Sequence, residues 1–240
     1  MLDGYTHGTL QCRLCFGESK ETTLSLGDWR LLNNPGYYGS NDPEILVLGF
    51  SKGMTQIKVA ERADFDKIAF ANARNRLRAI FEVLKIMPSD RGIDELMTSS
   101  ETTFGIASLV RCSLSKVDKN GRFKTSGDLI PSAFTNPTTL AVIRRCAFTF
   151  LSCLPKNVRL VILLGISNAY IVKTRRIFAD LYSDFAPQNE VAFRAGGALW
   201  IYTTHPSPAN GHFNDWVSGG HHTPSGRKRI LALQALSSVS

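Results

Sequence analysis

No stretch of about 18 consecutive apolar residues occurs in the 240-residue chain, so no membrane-spanning helix is expected. The first residues, Met1-Leu2-Asp3-Gly4-Tyr5, lack the basic stretch and apolar core of a secretion signal, which points to a cytoplasmic location. Internal repeats and low-complexity tracts are absent, which excludes a repeat array. Cysteine is scarce, with five in all. In a reducing compartment five thiols point to metal rather than to disulfides. Acidic side chains are outnumbered, 20 against 28 Lys and Arg, for a net charge of +8. That balance suits a polyanionic partner, although many proteins are basic without touching nucleic acid.

What is present describes one domain, residues 1–240, large enough for a substantial core. The 43% hydrophobic and 20% charged content is that of a globular protein. Basic residues cluster in Arg74-Asn75-Arg76-Leu77-Arg78, Arg144-Arg145, Lys173-Thr174-Arg175-Arg176 and Arg227-Lys228-Arg229, all in segments with helical character.

Glu44 to Phe50 is an apolar run entering Gly49, the pattern of a buried parallel strand. Asp66 to Ile86 carries Ala73, Leu77, Ile80, Phe81 and Leu84 at helical spacing. Thr103–Val110 and Val158–Gly165 read as strands, and Thr138–Leu154 as a helix started by Asn136-Pro137. Ser167 is a candidate N-cap for a helix to about Tyr182. Val191–Arg194 and Ala198–Thr204 flank Gly196-Gly197 as a hairpin, and a last helix starts near Thr223-Pro224. Lys116–Phe134 and Pro206–His222 read as long loops. Alternating strands and helices imply a mostly parallel sheet covered on both faces. Ligands then bind at the carboxyl ends of the strands, where Gly49–Gly53, Ser108 and His205 converge.

Two patterns carry chemistry. Cys12 and Cys15 form a CxxC pair, and Cys112 and Cys146 are two distant cysteines; four such thiolates can hold an iron–sulfur cluster or a zinc ion. Cys153, seven residues after Cys146, reads as a buried apolar residue. Thr204-His205-Pro206-Ser207-Pro208 presents one histidine from a stiff loop at a strand end.

In this order the two patterns resemble the iron–sulfur branch of the uracil-DNA glycosylase superfamily, from Cys12 to about Arg229. The resemblance implies a three-layer α/β/α sandwich with a four-stranded, mainly parallel sheet. It also implies a [4Fe–4S] cluster on Cys12, Cys15, Cys112 and Cys146, with zinc as the competing metal. DNA would be the partner, no obligate protein partner is evident, and a monomer suffices.

The resemblance distributes further roles. The family's first pocket motif corresponds to Gly49-Phe50-Ser51-Lys52-Gly53, which has no carboxylate. Gly49 and Phe50 would border the base, and Ser51 could position water. Lys52 could contact a phosphate or attack the sugar as an amine. Asp66 could supply the missing acid, with Asp64 read as a solvated loop residue. Ala69–Leu77 lines up with the segment whose aromatic stacks on the flipped base, here Phe70, which is also open to a core role. Ser108 stands where the family has an asparagine that pairs with uracil. A hydroxyl cannot offer that paired donor and acceptor, so a non-standard base, such as a modified cytosine of phage DNA, stands beside uracil as substrate. His205 would donate to the departing base, and Ser207, Asn210, His212 and Phe213 would contact DNA, Phe213 as a wedge. Arg227 and Lys228 would meet the backbone. The expected reaction is hydrolysis of an N-glycosidic bond by a monofunctional glycosylase. The alternatives are a DNA-binding module of the same fold without catalysis and a zinc-stabilised α/β protein acting on a small molecule.

Overall fold

The continuous apolar runs of the sequence become the central strands of a sheet. The computed structural model describes residues 4–125 and 127–238. In chain order the strands are β1 (Gly8–Thr9), β2 (Thr23–Leu26), β3 (Trp29–Leu32), β4 (Gly36–Gly39), β5 (Ile45–Gly49) and β6 (Phe104–Ser108). They continue with β7 (Ser113–Val117), β8 (Phe123–Lys124), β9 (Leu160–Leu164), β10 (Ala186–Asn189), β11 (Ala192–Ala195) and β12 (Ala198–Thr203). The helices are α1 (Met54–Ala60), α2 (Arg74–Val83), α3 (Ile130–Thr135), α4 (Pro137–Leu151), α5 (Asn168–Leu181), α6 (Phe213–Ser218) and α7 (Pro224–Ser237).

The main sheet has eight strands in the order β1-β4-β6-β5-β9-β12-β11-β10. Its centre, β6-β5-β9-β12, is parallel, and antiparallel strands extend both edges. A second sheet, β2-β3-β7-β8, is four-stranded and antiparallel. These two sheets overturn the expected single four-stranded, mainly parallel sheet. β1, β4 and β10 are two to four residues long, too short for alternation to show in the sequence. β5, β9 and β12 are buried at every residue, as strands covered on both faces must be. α7 packs on β10, β11 and β12 and against α6, which meets α2; α3, α4 and α5 form a second packed group.

Helix starts follow local chemistry. Asn136 accepts the Thr138 and Thr139 amides at 3.0 and 3.1 Å, with Pro137 opening α4. Ser167 caps α5 and Thr223 caps α7 in the same way. The expected helix over Asp66–Ile86 is shorter, because Phe70 and Asn72 take φ of +50° and +64°, conformations that interrupt a right-handed helix. Lys116–Phe134, expected as a loop, folds into the rest of β7, β8, a 3-10 turn and most of α3, and Pro206–His222 contains α6. Cys153 lies beyond the end of α4 and is exposed, not the buried residue expected. Among the described residues, no helix is long and apolar enough to cross a membrane.

Candidate active site

The carboxyl ends of all four parallel strands open into one cleft of about 900 Å³. Gly49–Met54 after β5, Ser108 at the end of β6, Leu164–Ser167 after β9 and the loop after β12 line it. Phe70 closes one side. The opposite wall comes from the second sheet and the chain beyond it, with Trp29, Leu114, Phe123, Lys124, Thr125 and Asp128.

His205 is fixed at the end of β12 by its own loop. Its Nδ1 accepts the Ser207 amide at 3.0 Å, so the neutral ring carries its proton on Nε2. Burial, helped by the Arg76 charge, lowers its pKa to about 4. The imidazole is therefore an uncharged donor at neutral pH. Asn210 braces the loop by donating to His205 O at 2.7 Å and Thr204 Oγ1 at 2.9 Å. Phe70 faces the imidazole, with ring centroids 6.5 Å apart and planes at 54°. Its left-handed backbone, costly for a bulky residue, persists only where the surroundings hold it, and such residues gather at functional sites.

Phe50 packs against Phe134 and Tyr170 and gives the cleft an apolar floor. Ser51 and Ser108 are half-buried and border the same space. Lys52 is buried, donates to the Asn34 carbonyl and lies 5.9 Å from the Tyr38 ring centroid. Burial lowers its pKa to about 8, against the pull of Cys112. Its ammonium is thus held inside the wall, so it does not serve as a surface clamp for phosphate.

Asp66 does not line the cleft. Its carboxylate pairs with His7 Nε2 at 2.9 Å, while His7 Nδ1 accepts the Gly39 amide, so Asp66 ties down the N-terminal segment. Among the described residues, the carboxylate that does border the cleft is Asp128. Sequence reasoning missed it because it lies in a stretch that reads as loop, 62 positions after Asp66, and only tertiary folding carries it to the strand ends.

The remaining DNA-contact candidates separate. Ser207, Asn210 and His212 line the cleft. Phe213 does not project as a wedge: it is buried, with the Arg76 guanidinium 3.8 Å from its ring centroid, and Arg76 also donates to the Asn210 carbonyl. Arg76 is thus the bracket of the loop after β12, a role that its place in a basic cluster did not disclose. Arg227 is exposed on α7 outside the cleft. Lys228 is buried, donates to Ile166 O at 2.7 Å and to Asn168, and pairs with Glu190. It holds the β9–α5 turn and leaves no ammonium free for a phosphate.

Cys12, Cys15, Cys112 and Cys146 all border one small apolar pocket of about 20 Å³, separate from the cleft. Burial pushes the thiols of Cys112 and Cys146 up to about 12 and also raises Cys15. Among the described residues, no three His, Cys, Asp or Glu side chains form a group suited to one metal ion. Arg111 borders the same pocket. It is 1% exposed and lies among the rings of Tyr5, Tyr37 and Phe150, and both terminal nitrogens lack a hydrogen-bond partner among the described residues. A buried, unpaired guanidinium is expensive without an anion nearby, and a thiolate-bound cluster is such an anion. The donor set therefore fits an iron–sulfur cluster.

No family model matches the chain, and no curated protein matches it. Among solved structures, the chain is similar to the crystal structure of wild-type SMUG2 from Pedobacter heparinus, at 10% identity and a TM-score of 0.41, over 93% of each chain.

Proposed function

We propose that the protein is a DNA glycosylase that flips a pyrimidine nucleotide into the cleft and hydrolyses its N-glycosidic bond. The observation that carries this reading is the neutral His205, donor on Nε2, beside Phe70 in the cleft. A flipped base stacked on Phe70 would place a ring carbonyl before that donor. As the bond from C1′ to the base nitrogen breaks, its electron pair leaves with the base. Nε2–H stabilises the growing negative charge by a hydrogen bond, without giving up its proton. Water then adds to the cationic C1′, and its proton passes to Asp128 or to solvent. The base leaves and an abasic site remains.

Ser108 supplies one hydroxyl where tight selection of uracil calls for a paired donor and acceptor. That favours a modified cytosine, as in phage DNA, over uracil, which would make the protein a defence factor. The test is incubation with uracil-containing duplexes and with phage genomes with and without modified cytosine, followed by alkali or abasic-endonuclease cleavage. Cleavage restricted to modified phage DNA is the expected result. Absence of abasic sites in every substrate, with metal-loaded protein, overturns the reading.

The second part of the proposal is a [4Fe–4S] cluster held by Cys12, Cys15, Cys112 and Cys146. A single zinc ion, held by four sulfurs about 2.3 Å from one centre, is the competing metal. Bound there, the cluster supplies four iron–thiolate bonds and a negative charge, and with no open protein position its role is structural. The four cysteines would join the N-terminal segment, the start of β7 and α4, and Arg111 would lie against the charge.

A further inference from the structure

The segment between Cys112 and Cys146 opens with the β7–β8 hairpin, which carries unusual charge. From Lys116 to Lys124 it carries four basic residues, Lys116, Lys119, Arg122 and Lys124, against one acidic residue, Asp118. The hairpin is tightly built. Asp118 and Arg122 pair through Asp118 N to Arg122 O at 2.8 Å, and Gly121 closes the turn with φ of +72°, the geometry of a three-residue hairpin loop. The Asp118 carboxylate accepts the amides of Asn120 and Arg122, each at 2.9 Å.

Its base is equally fixed. The Arg30 guanidinium lies 3.6 Å from the Phe123 ring centroid, Lys116 pairs with Asp28, and Thr125 Oγ1 accepts the Met54 amide at the start of α1. Phe123, Lys124 and Thr125 form part of the cleft wall, so the returning strand of the hairpin, which Arg122 precedes, borders the cleft. Asp118 engages Lys124, whereas Lys119 and Arg122 are exposed and have no carboxylate partner among the described residues.

We propose that this hairpin is a DNA-backbone grip, in which Lys119 and Arg122 contact phosphates flanking the nucleotide held in the cleft. The proposal rests on the glycosylase reading for its partner and adds a contact surface outside the base pocket. Two cations preset on a rigid turn lose little freedom on binding. Each phosphate they neutralise releases counterions, which makes affinity fall with salt.

The test is fluorescence anisotropy with an ordinary labelled duplex, containing no modified base, across a salt series. The wild-type chain is compared with Lys119→Gln/Arg122→Gln and with Lys85→Gln/Lys156→Gln. The second pair changes the charge equally, at the far end of α2 and at the amino-terminal side of the sheet. The hairpin pair should weaken binding roughly tenfold at low salt and reduce the slope of log affinity against log salt by about two. The control pair should stay within about twofold, and both should melt like wild type. Equal effects of the two pairs, with wild type binding well, overturn the grip and leave the glycosylase reading standing. If the wild-type chain binds no DNA, both fall.

Discussion

His205 is uncharged across the physiological range because the Ser207 amide occupies Nδ1 and burial opposes protonation. A neutral donor needs no protonation step, so kcat/KM on the cleaved DNA should be flat between about pH 5.5 and 7.5. A limb near the ordinary histidine value of 6.5 would contradict that. His205→Ala should lower kcat by about 10²–10³-fold, the usual cost of one preorganised donor, with little change in DNA affinity. The same group links pH to stability. Its folded pKa of about 4 lies below the ordinary 6.5, so between these values the unfolded chain binds the extra proton. Stability therefore falls as the pH drops from 6.5 towards 4, by up to about 3 kcal/mol from this group. Urea unfolding at pH 7 and pH 5 should show a larger loss for wild type than for His205→Gln. Asp128 is exposed on the cleft wall, so Asp128→Asn should lower kcat while leaving stability nearly unchanged, and Asp66→Asn should do the reverse by freeing His7.

At the scale of elements, α4 ties the cap chemistry to the cysteine pocket. Asn136 satisfies two amides at its start, and Cys146 lies in its third turn. Asn136→Ala should cost about 1 kcal/mol, read as a lower Tm. The β11–β12 turn is similarly local in origin. Gly196 and Gly197 take φ of +58° and +76°, as a two-residue hairpin turn requires. Gly196→Ala would put its Cβ 2.6 Å from the Tyr182 ring, so strain and collision act together and the variant should melt well below wild type. The segment after β7 behaves differently. Gly, Asn, Ser and Pro make it read as loop, yet Ala133 and Phe134 are buried and Phe123 lies under Arg30. Those contacts reach residues far away in sequence, and no local pattern announces them.

For the whole molecule, the cysteine pocket joins the N-terminal segment, the root of the β7–β8 hairpin and α4 at one place. Protein purified without oxygen should be brown and carry four irons per chain, and Cys146→Ser should lose both iron and colour. A colourless, zinc-loaded wild-type protein would refute the cluster. Because Asn34 bonds Ser113 beside Cys112 and its carbonyl holds Lys52, metal loss should reach the cleft as well. Cys146→Ser should thus bind DNA more weakly and melt lower, whereas Cys153→Ser, exposed and outside the pocket, should do neither.

What could be read along the chain was local or periodic. The central strands announced themselves because strands buried on both faces must be apolar throughout. Asn136, Ser167 and Thr223 announced helix starts because a cap acts on amides two or three residues away. The convergence of Gly49, Ser108 and His205 followed from the rule that parallel strands share one carboxyl end, and the four cysteines were grouped by kind. What the residues could not disclose depends on distant partners. Asp66 looked available until His7 took it, Lys228 looked like a surface charge until Ile166 and Asn168 buried it, and Asp128 looked like loop until the second sheet carried it to the cleft. A side chain's type sets what it can do, but burial and pairing, which only the folded chain decides, set what it is free to do.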